Sequence, residues 1–202
     1  MFALETIVEN SLYAIRYDSI EEDEFENNEF DEDKSKKDEF RRLFKNWSDP
    51  EYLDAFFDKH KLDLQKDFYS FISIDDAINR TIDEADTLEQ QLIEIAETGK
   101  TERLDTLQTL FKPLNKKDEE LYPIPDYQKS KVYGELRKSW LRIYAIRLNS
   151  NEFVVTGGAI KLTKTMNDRE HLKKELEKLH LVKQFLISKG IDEENISEFL
   201  EL

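Results

Sequence analysis

The residues of this chain best suited to chemistry lie on one alternating stretch, Trp140-Leu-Arg-Ile-Tyr-Ala-Ile-Arg-Leu148. A period-two reading puts Trp140, Arg142, Tyr144 and Ile146 on one side of a strand and Leu141, Ile143, Ala145 and Arg147 on the other. After the turn-forming Asn149-Ser-Asn151, Phe153 to Thr156 reads as a second strand, Gly157-Gly158 as a bulge or bend, and Ala159 to Thr163 as its continuation. On that continuation Lys161 shares a side with Ala159 and Thr163. A suitable register therefore gathers Arg142, Tyr144 and Lys161 on one sheet face. Arginine and lysine can hold a phosphate and stabilise the charge of a pentavalent transition state, while a tyrosine or a lysine of lowered pKa can exchange protons with a 2′-hydroxyl or a leaving oxygen. Metal-free RNA cleavage requires little more. The alternative is that these are ordinary solvent-facing strand residues paired with glutamates.

Other chemistries lose ground for want of parts. The chain has no cysteine, which removes disulfides, thiolate zinc sites and cysteine nucleophiles. Neither GxxxxGK[ST] nor GxGxxG occurs, so no phosphate loop is expected. His60, His171 and His180 are far apart, and the last two stand on one helix at a spacing that does not form a tight metal site. Each is expected to face solvent, and neither a metal nor a cofactor is expected.

The 202 residues carry 45 acids against 30 bases, a net charge of −15, and that charge is polarised along the chain. From Ile20 to Asp33 nine acids occur with no base, the pattern of a solvated segment. From Lys112 to Met166 eleven bases face six acids. A uniformly acidic surface would repel nucleic acid and anionic membranes, and the basic region is where that argument fails. The N-terminus has no signal-peptide pattern, and no apolar run approaches the roughly 18 residues of a membrane span, so the expected location is the cytoplasm.

The elements that must position these residues follow from periodicity. Ser11 to Tyr17 alternates as a strand. Helical spacing over Lys37 to His60 breaks at Ser48-Asp-Pro50, and Ser73 caps a helix of about 25 residues whose stripe of Ile78, Ile82, Ala85, Leu88, Leu92, Ile95 and Ala96 ends at Gly99. A shorter helix is expected over Glu102–Phe111, an edge strand over Leu121–Ile124, and C-terminal helices over Asp168–Lys189 and Glu193–Leu202 with Gly190 between them. The expectation is a single α+β domain: an acidic segment at 18–36, a helical layer at 37–111, a sheet core at 112–166 and C-terminal helices at 167–202. Strands 11–17, 140–148, 153–156 and 159–163 should form one small antiparallel sheet backed by helices.

The order of elements, with "LFKPL" (Leu110 to Leu114), "LYPI" (Leu121 to Ile124), "WLRIYAIRL" (Trp140 to Leu148) and "GGAIKLTKTM" (Gly157 to Met166), resembles the RelE/ParE toxin superfamily, nearest its HigB-like members. The resemblance covers about Leu110 to Leu179, with Ser11 to Tyr17 weakly. It implies a ribosome-associated messenger-RNA endonuclease held inactive by a small antitoxin protein. Carried over by position, Arg142 would hold phosphate, Tyr144 would stack or orient, and Lys161 and Lys164 would stabilise charge. Arg137, Lys138 and Lys131 would add RNA contacts. Two other readings stay open: a catalytically silent module of this fold that only binds protein, and an acidic inhibitor in which the 21–33 block imitates phosphates. In the nuclease reading that same block is expected to screen the cationic face.

Overall fold

The chain opens with a hairpin, β1 (Phe2–Val8) and β2 (Leu12–Tyr17), and then enters a helical layer. The computed structural model describes residues 2–17, 37–66, 72–101, 105–115, 127–134, 139–192 and 194–196. The acidic block 20–33, the expected strand at 121–124 and nearly all of the helix expected from 193 lie outside the described residues.

Helices α1 (Glu39–Trp47) and α2 (Pro50–Lys59) separate where the sequence says they should. The Asp49 carboxylate accepts from the amides of Glu51 and Tyr52, and Pro50 occupies the first turn, where its missing N–H costs nothing. After the single turn α3 (Lys61–Leu64), α4 (Ile74–Thr98) is capped by Ser73, whose hydroxyl oxygen accepts from Asp76 N–H at 3.1 Å. Helix α5 (Leu107–Leu110) is shorter than expected. Its first amides are captured instead by the turn near 150, Leu107 N–H by Asn151 Oδ1 at 3.0 Å and Gln108 N–H by Ser150 O at 3.0 Å. There follow β3 (Lys112–Pro113), β4 (Gln128–Tyr133), β5 (Leu141–Arg147), β6 (Phe153–Ile160) and α6 (Glu170–Lys189), closed by Gly190 in the left-handed conformation at φ 63°.

The architecture is α+β, with strand order β1-β2-β6-β5-β4-β3. The sheet is mixed rather than wholly antiparallel. β2 and β6 run parallel, paired over only Leu12↔Phe153, Tyr13↔Val154 and Ala14↔Val155, because the chain between them crosses through the helical layer and returns in the same direction. β6 is central and buried on both faces, which explains why FVVTGGAI reads as an apolar run. It is one continuous strand. The bulge falls on Thr156, since Tyr144 faces Gly157 while Ala145 faces Val155.

Two cores sandwich the sheet. On one face Leu141, Ile143, Ala145, Phe153 and Val155 pack with Phe40, Phe44 and Phe57 from α1 and α2 and with Leu88 and Leu92 from α4. On the other, Tyr144, Ile146 and Val154 pack with Leu172, Leu179, Val182 and Leu186 from α6. Trp140 belongs to the first core, not to the face of Arg142. Ser139 Oγ captures Leu141 N–H at 3.0 Å, the strand begins only at Leu141, and the indole turns under the sheet to donate to Thr81 Oγ1 at 3.0 Å.

The glycine pair is what lets both layers close. A Cβ at Gly158 would stand 2.6 Å from the Arg142 carbonyl and 2.7 Å from Leu43 Cδ1, and one at Gly157 would overlap Glu175 Oε2. The Gly158 contact is with backbone, so it cannot be relieved by a rotamer change. Gly158→Ala is therefore expected to cost about 3 kcal/mol, read as a lower urea midpoint at unchanged slope. Wild-type stability for this variant would contradict the packing described.

Candidate functional site

Alternation carries four cations, Lys129, Lys131, Arg142 and Lys161, to the α6 face of the sheet. Lys131 lies opposite Tyr144, Tyr133 opposite Arg142, and Arg142 opposite Ala159, with Lys161 just beyond the end of β6. Lys129, Lys131 and Tyr133 share this face because β4 alternates, and α6 leaves this end of it partly open. Four residues named from sequence, Lys131, Arg142, Tyr144 and Lys161, are thus neighbours. Lys164 follows on the exposed loop, where its carbonyl accepts from Lys161 Nζ at 2.7 Å. Arg137 and Lys138 lie outside the described residues.

The geometry around each head group differs. The Arg142 guanidinium sits 4.1 Å over the Tyr133 ring and donates to the carbonyls of Ser139 at 2.8 Å and Leu141 at 2.6 Å. Lys131 Nζ donates to Leu114 O at 2.6 Å, and Lys161 Nζ also reaches Thr163 O. Among the described residues neither lysine forms an ion pair with a carboxylate. Burial lowers the pKa of Lys161, and the charges of Arg142 and Lys131 lower it further against the pull of Asp168. Tyr144 is only 1% exposed; its hydroxyl donates to the Met166 sulfur at 2.9 Å, and burial pushes its pKa up. Tyr133, at 41% exposed, is the aromatic ring that a ligand can reach. Its place was not legible in the sequence because β4 buries Gln128 and Ser130 on its other side, so its alternation carries little hydrophobic contrast.

A second cluster joins α2, α3 and α6. His60 and His171, expected to face solvent, meet edge to face with ring centroids 4.9 Å apart, and Phe56 packs against both. Beside them Arg169 donates through Nε to Asp63 at 2.6 Å and through its terminal nitrogen to the other carboxylate oxygen. The fold, not the spacing, brings the rings together. Among the described residues no group of three or more His, Asp or Glu side chains is placed to hold a metal ion.

A third cluster is buried between α1, α6 and β6. Glu39 takes Arg42 in a two-pronged pair at 2.8 and 2.9 Å and Lys178 at 2.8 Å, and Lys178 also pairs with Glu175 at 2.8 Å. Burial pushes the Glu39 carboxyl up, but Arg42 and Lys178 outweigh it and hold the pKa down at about 2. Glu175 is pushed up by burial and by Glu39, against the attraction of Lys178.

Comparison of the chain with protein-family models, curated proteins and solved structures finds no match. The functional reading rests on this geometry and on the motifs. No helix among the described residues is long and apolar enough to cross a membrane.

The histidine pair sets a pH dependence. Burial lowers the pKa of both rings, His60 to about 4 with help from His171, so the folded protein binds fewer protons than the unfolded chain. Stability is then complete above the unfolded value of about 6.5 and is lost as pH falls from there towards 4. Calorimetry should show the melting temperature of the wild type falling across that window. His60→Phe should flatten the fall by on the order of 1 kcal/mol, a figure already discounted for solvent screening. Parallel curves for the two proteins would contradict this account.

Proposed function

We propose that the chain is a RelE-like ribonuclease of the cytoplasm that cleaves messenger RNA without a metal and acts as the toxin of a toxin–antitoxin pair. The observation that carries the reading is the crowding of Lys131, Arg142 and Lys161 on one open sheet end of a chain with net charge −15. Gathering like charges is unfavourable, and a bound polyanion would relieve it.

In this reading Arg142 and Lys131 hold the scissile phosphate. Lys161, whose pKa burial lowers first and the charges of Arg142 and Lys131 lower further, exchanges the proton as the 2′-oxygen bonds to phosphorus and the bond to the 5′-oxygen breaks. The proton lost by the 2′-hydroxyl balances the one gained by the leaving oxygen. Lys164 adds charge from the loop, with Arg137 and Lys138 as further RNA contacts. Tyr144, being buried, holds the floor of the site through Met166 rather than touching RNA. A ribosome and a small antitoxin are the partners the resemblance implies.

One observation favours the second reading, a protein-binding module of the same fold. The Lys161 ammonium is already engaged by two carbonyls of its own loop, so catalysis requires that loop to release it.

Induced expression in a bacterial host separates the two. The nuclease reading expects growth arrest with cleaved messages, and expects Arg142→Ala and Lys161→Ala each to lower cleavage by about 10²- to 10³-fold while leaving the melting temperature near wild type. A harmless wild type with intact messages would pass the proposal to the binding-module reading.

A further inference from the structure

We propose that the seam between β4 and α6, formed by Lys129 and Lys183, is a second phosphate subsite, which takes a backbone phosphate of a single-stranded RNA lying along β4 from the Arg142 end. The inference deepens the ribonuclease reading and rests on it.

Lys129 and Lys131 are two residues apart on one strand, so both project from the α6 face, about 7 Å apart along β4. Tyr133 continues the same row, which makes it about 13 Å long. That is more than one nucleotide can occupy. At the far end the Lys129 ammonium lies 3.4 Å from His180 Nδ1, which sets the amine against α6. Lys183 stands three residues on from His180 along α6, on the same side of that helix, and burial and then its charge make Lys129 less basic than a free lysine. Among the described residues neither Lys129 nor Lys183 is ion-paired with a carboxylate.

Across the strip the basic groups succeed one another as Lys183, Lys129, Lys131, Arg142 and Lys161, with Arg142 lying over the partly exposed ring of Tyr133. A row of cations with one partly exposed aromatic at the end suits a flexible single strand, whose phosphates follow the lysines while one base packs against the stacked pair of Arg142 and Tyr133. A protein partner would have to supply a spaced line of carboxylates.

The test uses the full-length protein and 2′-O-methyl RNA, which cannot undergo attack by the 2′-oxygen, so that binding is read alone. A ten-residue oligonucleotide and a dinucleotide are compared by fluorescence anisotropy. The double variant Lys129→Ala/Lys183→Ala is expected to bind the ten-residue strand about tenfold more weakly, with a salt slope reduced by about 0.7, the share that one neutralised phosphate of a single strand accounts for. It should bind the dinucleotide as the wild type does. Arg142→Ala should weaken both. If the double variant binds both ligands as the wild type does, or weakens on both equally, the second subsite is wrong while the ribonuclease reading stands. Should the wild type bind neither strand, and Arg142→Ala behave identically, the underlying reading fails and the subsite with it. Tight binding of an acidic polypeptide in place of RNA would overturn it in favour of a protein partner.

Discussion

Everything in this fold is arranged around the place where β2 parts from β6. The two strands pair over three residues and then separate, and the gap is filled by charge: Glu39 and Arg42 from α1 meet Glu175 and Lys178 from α6 through the opening. Two acids and two bases balance there. A buried ion pair of this kind adds little net stability over apolar packing, yet removing one member leaves an uncompensated charge and costs several kcal/mol. Its role is therefore to fix position. With Lys178 held by both carboxylates, α1 and α6 cannot slide relative to each other, and Gly157 is the residue whose missing side chain leaves room for Glu175.

The candidate site inherits its geometry from that constraint. α6 is pinned to the sheet near its middle by the charge cluster and at its start by Arg169 with Asp63. Its apolar face covers Ile146 and Val154 but stops short of Arg142 and Tyr133. The loop carrying Lys161 and Lys164 is strung between β6 and α6, with the capping box of Thr165 and Asp168 setting its exit. Two fixed ends make a short loop, and a short loop places the Lys161 amine close enough to Arg142 to feel its charge.

Some of this was legible in the sequence and some was not, for identifiable reasons. Caps and breaks are local, so Ser73, Asp49-Pro50 and Gly190 announced α4, the division between α1 and α2, and the end of α6. Alternation on β5 is local too, and it placed Arg142 and Tyr144 on the right face. Burial of Tyr144 depends on where α6 lies, which no window of sequence contains. The parallel pairing of β2 with β6 is likewise invisible, since a strand's direction relative to a distant partner is set by the crossover. β4 was missed because its buried residues Gln128 and Ser130 are polar, and the histidine pair because its members come from helices far apart in the chain.

Part of the chain's acid is kept from the cationic face because the sheet lies between them. Asp75, Asp76, Asp83, Asp86, Glu94 and Glu97 stand exposed on α4, which packs on the opposite side of the sheet from Arg142 and Lys131. A helix with its side chains is about 10 Å across, so these acids lie farther from the cationic face than the roughly 8 Å over which charge is felt at physiological salt. Close to the sheet a phosphate meets lysine and arginine, while at longer range and low salt it meets the net negative charge. Such a surface gives little general attraction for nucleic acid. Under the ribonuclease proposal it would select instead for a strand delivered to it already close, as a ribosome holding its message would deliver one, and the chain's excess of acid would then work for specificity rather than against binding.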